Sequence, residues 1–252
     1  MTGPAASLGV SEGVGLALAV LGAAVVAFTG QGTRAGAAAG LVVAVVSILG
    51  LGAGALLPLA VFVLGSGALT RLGQGRKEAL GAAQSNRGRR DARHVAAKLG
   101  LPAVLGVAGI AGFPRETLAI AYAAALAGAF ADTAATEVGP ISGGDVFGWR
   151  GLRPTRLRHG EAGGMSVGGT SAALLGAGAV AWSAIAVGLL PGAGEAVTVG
   201  GAGFAATLVE SAVAGTPVGR TLGHFGKNAL VSVVAALIAT VGTGRTHGGG
   251  LI

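Results

Sequence analysis

Long apolar runs separated by short polar breaks dominate this chain, at residues 11–29, 35–50, 51–69, 101–113, 116–139, 171–190, 196–214 and 228–241. A helix needs about 20 residues to cross a bilayer, with a range of about 17–25. Two of the runs are short, so the pattern predicts seven or eight membrane-spanning helices. The expected fold is an all-α transmembrane bundle forming a single membrane domain over residues 1–252. Gly139-Pro140 is expected to end its helix, because glycine suits a left-handed cap and proline cannot continue the turn. Two longer polar segments lie between spans, near 70–98 and 140–170. The first is expected to be partly helical, the second a glycine- and arginine-rich connection.

Composition agrees with this reading. The chain is 52% hydrophobic and 11% charged, with a mean hydropathy of +0.75, whereas a soluble domain carries about 25% charged residues. Its 50 glycines have no collagen period and sit mostly inside apolar runs. Small residues let membrane helices approach closely, as expected at Gly36-x-x-x-Gly40. The absence of cysteine excludes disulfides, thiolate metal sites and a cysteine nucleophile. No Lys or Arg occurs before Arg34, so no basic leader of a signal peptide is expected.

Charge sets the expected orientation. Of 17 Lys and Arg, eight fall between Arg71 and Lys98, four between Arg150 and Arg158, and two at Arg220 and Lys227. With eight spans and both termini outside, these clusters and Arg34 share one side, and only Arg115 and Arg245 lie opposite. The basic side is then the cytoplasm, and the chemistry is expected there.

Three carboxylates, Asp132, Glu137 and Glu210, sit in or at the end of apolar runs. Each would cost about 2.5–3.5 kcal/mol at a helix centre, so they must be paired, interfacial or holding a cation. The topology places all three, with Asn228, at similar depth near the cytoplasmic face. Gly128, Asp132, Thr136 and Gly139 share one helix face. Glu137 lies about 140° around from Asp132, at a helix end whose dipole disfavours a negative charge.

Residues 158–170, Arg-His-Gly-Glu-Ala-Gly-Gly-Met-Ser-Val-Gly-Gly-Thr, run straight into a span. Glycines before a helix let backbone N–H groups face an anion, and Ser166 and Thr170 add hydroxyls. Arg87, Arg89, Arg90 and Arg93 crowd a second stretch suited to phosphate. A Walker loop is absent, because Asn228 follows Gly226-Lys227. Few aromatic residues lie nearby, which argues against nucleic-acid binding. The four histidines lack metal-ligand spacing.

Taken together, five stretches resemble the integral membrane family that contains plant phytyl-phosphate kinase, with bacterial and archaeal relatives. They are residues 65–71 (Gly-Ser-Gly-Ala-Leu-Thr-Arg), 88–95 (Gly-Arg-Arg-Asp-Ala-Arg-His-Val), 131–139 (Ala-Asp-Thr-Ala-Ala-Thr-Glu-Val-Gly), 163–170 and 203–216. The family is distantly similar to CTP-dependent dolichol and phytol kinases. The chain departs from its pattern at Lys98, His159, Glu161 and Glu210-Ser211. The resemblance implies an enzyme that phosphorylates an isoprenoid (phytyl or prenyl) monophosphate from CTP or another nucleoside triphosphate. It implies Mg²⁺ on Asp132, Glu137 and Glu210. It implies phosphate and nucleotide contacts from Thr70, Arg71, Lys77, Asn86, Arg89, Arg90, Arg93, Arg158, Gly163, Gly164, Ser166, Thr170, Ser211, Lys227 and Asn228. A transporter or flippase of an anionic lipid or phosphate compound, and a lipid cytidylyltransferase, are the alternatives.

Overall fold

The computed structural model describes residues 11–83, 88–150 and 153–248. Among them lie nine α-helices: α1 (Glu12–Phe28), α2 (Arg34–Leu51), α3 (Leu56–Arg71), α4 (Gln74–Ala79), α5 (Ala92–Ile110), α6 (Arg115–Ser142), α7 (Val167–Ala186), α8 (Ala193–Ala214) and α9 (Pro217–Gly248). All but the 6-residue α4 are long. Six satisfy the length and hydropathy expected of a membrane span, and α1 is a shorter apolar helix. α5 is not among the six, since its first turns carry Arg93, His94 and Lys98. The chain is an all-α polytopic membrane protein with one small sheet.

The 28-residue α6 forms the axis of the bundle. Every residue from Ala119 to Ala131 is buried, and most are alanine, so much of the helix surface lets neighbours approach closely. α7, α8 and α9 pack against it through small residues of their own. A β-carbon added at Gly203 would stand 2.8 Å from Ala127, and one at Gly128 would meet Val231 and Ala235 at 3.0 and 3.1 Å. α2 and α5 meet more closely still. A β-carbon at Gly50 would overlap the Gly106 carbonyl, and one at Gly106 would stand 2.8 Å from the Val46 carbonyl. The expected Gly36/Gly40 packing motif is not how glycine is used here. Gly36 yields to the Arg90 carbonyl in a loop, and a β-carbon at Gly40 would meet nothing within 4 Å.

Successive long helices alternate in direction. At one end, Arg71 donates to the Thr29 carbonyl at 2.7 Å, and Gly32 bridges to Arg90. At the other, the Tyr122 hydroxyl donates to the Ala55 carbonyl at 3.1 Å. The first end carries the sheet. Its strands β1 (Val146–Arg150), β2 (Arg153–Leu157) and β3 (Met165–Ser166) are antiparallel in the order β2-β1-β3. The described residues between α6 and α7 thus form a small folded hairpin and loop, not a mere connection.

Two helix boundaries depart from expectation. α6 passes through Gly139-Pro140 and stops at Gly143, whose φ of 72° ends the helix. Pro140 lies in the last turn, so the backbone hydrogen bond it removes is close to the helix end. α5 starts at Ala92 because Asp91 caps it, accepting from the His94 N–H at 3.0 Å. That bond, with the His94 ring, holds the Asp91 carboxyl below its ordinary pKa.

Candidate functional site

At the sheet-bearing end, α6, α7, α8 and α9 enclose a polar pocket of about 290 Å³. α6 contributes Asp132, Thr136 and Gly139, which share a face as helix geometry requires. α8 contributes Thr207, Glu210 and Ser211, and α9 contributes His224, Lys227 and Asn228. The hairpin covers the opening with residues 159–164, while Ser166 and Thr170 complete the wall. Gly163, at φ +79°, seats the hairpin on α8: a β-carbon there would stand 2.7 Å from the Ser211 carbonyl.

Two helix starts reach this pocket. Ser166 caps α7, its hydroxyl accepting from the Gly169 N–H at 3.1 Å. α9 is broken at Gly223 (φ 62°, ψ −172°), so a new helical segment begins beside His224 and Lys227. Helix starts present N–H groups and partial positive charge. The carboxylates come instead from the C-terminal halves of α6 and α8. Anion-favouring and cation-favouring groups therefore face one another across one cavity.

Asp132 and Glu210 are each matched to a lysine. Lys98 Nζ lies 2.7 Å from Asp132 Oδ2 and 2.9 Å from Thr133 Oγ1. Lys227 Nζ lies 3.7 Å from Glu210 Oε1. Asp132 and Glu210 are also within electrostatic reach of each other. Mg²⁺ keeps several waters and binds through one or two carboxylates plus substrate phosphates; Asp132 and Glu210 are hard oxygen donors of the kind it takes, each held here by a lysine.

The third acid does not join them. Glu137 is buried toward α3 and α4, with Lys77 Nζ at 2.6 Å and Thr70 Oγ1 at 2.8 Å. Among the described residues no three His, Cys, Asp or Glu side chains gather as metal ligands. The expected gathering of Asp132, Glu137 and Glu210 is not found: Glu137 lies apart from the pocket that Asp132 and Glu210 line. A charge at a helix C-terminus needs a counter-ion, and Lys77 supplies it.

The expected phosphate contacts divide in the same way. Gly163, Gly164, Ser166, Thr170, Ser211, Lys227 and Asn228 line the pocket with Asp132 and Glu210. Thr70 and Lys77 are committed to Glu137. Arg71 is exposed and bonded to the Thr29 carbonyl. Arg89, Arg93 and Arg158 are exposed and do not line the pocket. Half-buried Arg90 turns to a different cavity, its guanidinium 3.4 Å from Thr70 Oγ1. Burial lowers its pKa, opposed by the charges of Glu137 and Asp132. Asn86 lies outside the described residues. Lys98, expected only as a departure from the family pattern, and His224, expected as no ligand, both stand at the site. Lys98 closes the polar segment just before an apolar run, one helical turn after His94. The signal for His224 was the glycine preceding it, which breaks α9.

A family model described as "Integral membrane protein DUF92" matches residues 17–222, which include α6, α7 and α8 and end before His224, Lys227 and Asn228 of α9. The chain belongs to this integral membrane protein family. An uncharacterized membrane protein of Synechocystis is 36% identical over 166 residues, covering 65% of this chain. The chain spans 62% of that relative's length. No solved structure matches this DUF92 chain.

Proposed function

We propose that this DUF92 protein is an isoprenoid-monophosphate kinase, moving a phosphoryl group from CTP or another nucleoside triphosphate to a prenyl or phytyl phosphate. One observation carries the reading: Asp132 and Glu210 share a pocket with Lys227 and two helix starts, beneath a glycine-rich hairpin. Phosphoryl transfer needs positioning and charge stabilisation more than covalent chemistry, and the pocket offers both without a nucleophile. The basic sheet-bearing end corresponds to the cytoplasm by the positive-inside rule, where the donor is found.

In the reaction, an oxygen of the lipid phosphate attacks the γ-phosphorus. The new P–O bond forms as the bond to the β-phosphate oxygen breaks, and the nucleoside diphosphate leaves. Lys227 and the N–H groups at the starts of α7 and of the second α9 segment hold the donor's phosphates. Ser211, Thr170 and Asn228 orient them by hydrogen bonds. The hairpin residues 160–164 exclude water, which would otherwise accept the phosphoryl group. Asp132 and Glu210 would hold a divalent ion, which supplies neutralisation of the charge developing on the phosphate oxygens.

The test is turnover of γ-labelled CTP or ATP with geranylgeranyl phosphate and Mg²⁺ by the purified protein. Label in the lipid diphosphate is the expected result. Label released as diphosphate, with cytidine on the lipid, would assign a cytidylyltransferase instead. Asp132→Asn keeps the shape and a Lys98 acceptor, and should lower turnover by about 100-fold or more. Near-normal activity in that variant would remove Asp132 from the chemistry.

A further inference from the structure

A second cavity of about 520 Å³ runs between α1, α2, α3 and α5, and its character is the reverse of the first. Leucine, valine, alanine and glycine form its length, and Arg90, His94 and Lys98 stand together at its sheet-bearing end. The volume falls inside the range of about 300–1,000 Å³ usual for ligand sites. Ser66 also lines it; its hydroxyl is buried at 1% exposure and has no hydrogen-bond partner among the described residues. A buried hydroxyl left unsatisfied is costly, and a polar ligand atom would satisfy it.

The two cavities meet. Lys98 lines the apolar one, while its partner Asp132 lines the polar one at 2.7 Å. His94 and His224, whose rings are 6.1 Å apart, make a second junction of the same kind. A long apolar body with a cationic end matches an amphiphile with one anionic head, in shape and in charge.

The geometry points to this groove as the binding site of the lipid monophosphate acceptor. The prenyl chain lies along α1, α2 and α3, and the phosphate sits on Arg90, His94 and Lys98. This assignment rests on the kinase reading for the identity of the lipid. It adds where the lipid binds, and that acceptor and donor meet across the Lys98–Asp132 pair. An arriving phosphate competes with Asp132 for Lys98, which frees the carboxylate as the acceptor seats.

Binding alone tests the groove, without nucleotide or Mg²⁺. Labelled geranylgeranyl monophosphate is titrated into the full chain in nanodiscs of zwitterionic lipid. Gly22 and Gly40 line the groove, and a β-carbon at either would meet nothing within 4 Å. Gly22→Leu and Gly40→Leu therefore fill the groove without displacing the backbone, and two positions guard against a folding defect at one. Gly201→Leu is the control, equally open and lining neither cavity. Both groove variants should weaken binding by about tenfold or more, with the control unchanged. Arg90→Gln should weaken the monophosphate and leave geranylgeraniol unaffected. Undiminished binding in both groove variants, absence of binding in the wild type, or full displacement by inorganic phosphate would overturn the assignment. Groove-dependent binding without turnover would retain the groove and remove the kinase reading. Turnover indifferent to both leucines would do the opposite.

Discussion

The assignment of Glu137 to structure, and not to metal binding, can be tested by removing its lysine. Lys77 and Glu137 are 2% and 3% exposed, and Lys77 Nζ spends its three donors on Glu137 Oε2, the Leu69 carbonyl (3.0 Å) and the Thr70 carbonyl (2.8 Å). Lys77→Met keeps the stem and deletes all three bonds, leaving the carboxylate buried without its lysine. Breaking a buried pair from one side costs about 3–5 kcal/mol, whereas replacing both partners by apolar groups is often neutral or stabilising. At about 2–4 °C per kcal/mol for a chain of this size, the midpoint of thermal unfolding should fall by roughly 6–20 °C. The assay is a fluorescence melt of the detergent-solubilised protein, using Trp149 and Trp182. Adding Glu137→Leu to Lys77→Met should recover most of the loss. A single variant melting within 2 °C of wild type, or a double variant melting no higher than the single, would refute the reasoning. Glu137→Gln should leave the Mg²⁺ concentration for half-maximal turnover unchanged, because Glu137 does not line the polar pocket.

Two further outcomes follow from backbone geometry. Gly223 holds φ at +62° with ψ −172°, a region essentially restricted to glycine, so Gly223→Val should cost about 1–3 kcal/mol and displace Lys227; the readout is a raised KM for the nucleotide exceeding any loss of yield. Gly50 faces the Gly106 backbone with no room for a β-carbon. Gly50→Leu should therefore force α2 from α5 and abolish a monodisperse peak in size-exclusion chromatography, whereas Gly40→Leu should not.

The helices were legible because apolar length is a local property, and the Asp132, Thr136 and Gly139 face followed from period alone. Other features depend on distant partners. Nothing near Glu137 shows that Lys77, sixty residues earlier, will reach it, so the acid read as a ligand when it is a lock. The arginines read as one phosphate cluster, yet folding splits them: Arg90 turns inward and Arg89 and Arg93 remain outside. The hairpin was hidden because its strands are short and rich in charge. Even so, the burial alternation of Val146, Phe147, Gly148 and Trp149 is that of a strand. Glycine content suggested close helix contacts without saying which glycines make them, since Gly36 and Gly50 differ only in what lies opposite.

Lys98 and Asp132 belong to α5 and α6, consecutive long helices of the chain. A translocating machine that releases helices in pairs meets these opposite charges together. The penalty of about 2.5–3.5 kcal/mol that either would incur alone is then shared by a neutral hairpin. The same contact that joins the two cavities in the finished protein also offsets a charge on α5, a long helix that is not among the six spans.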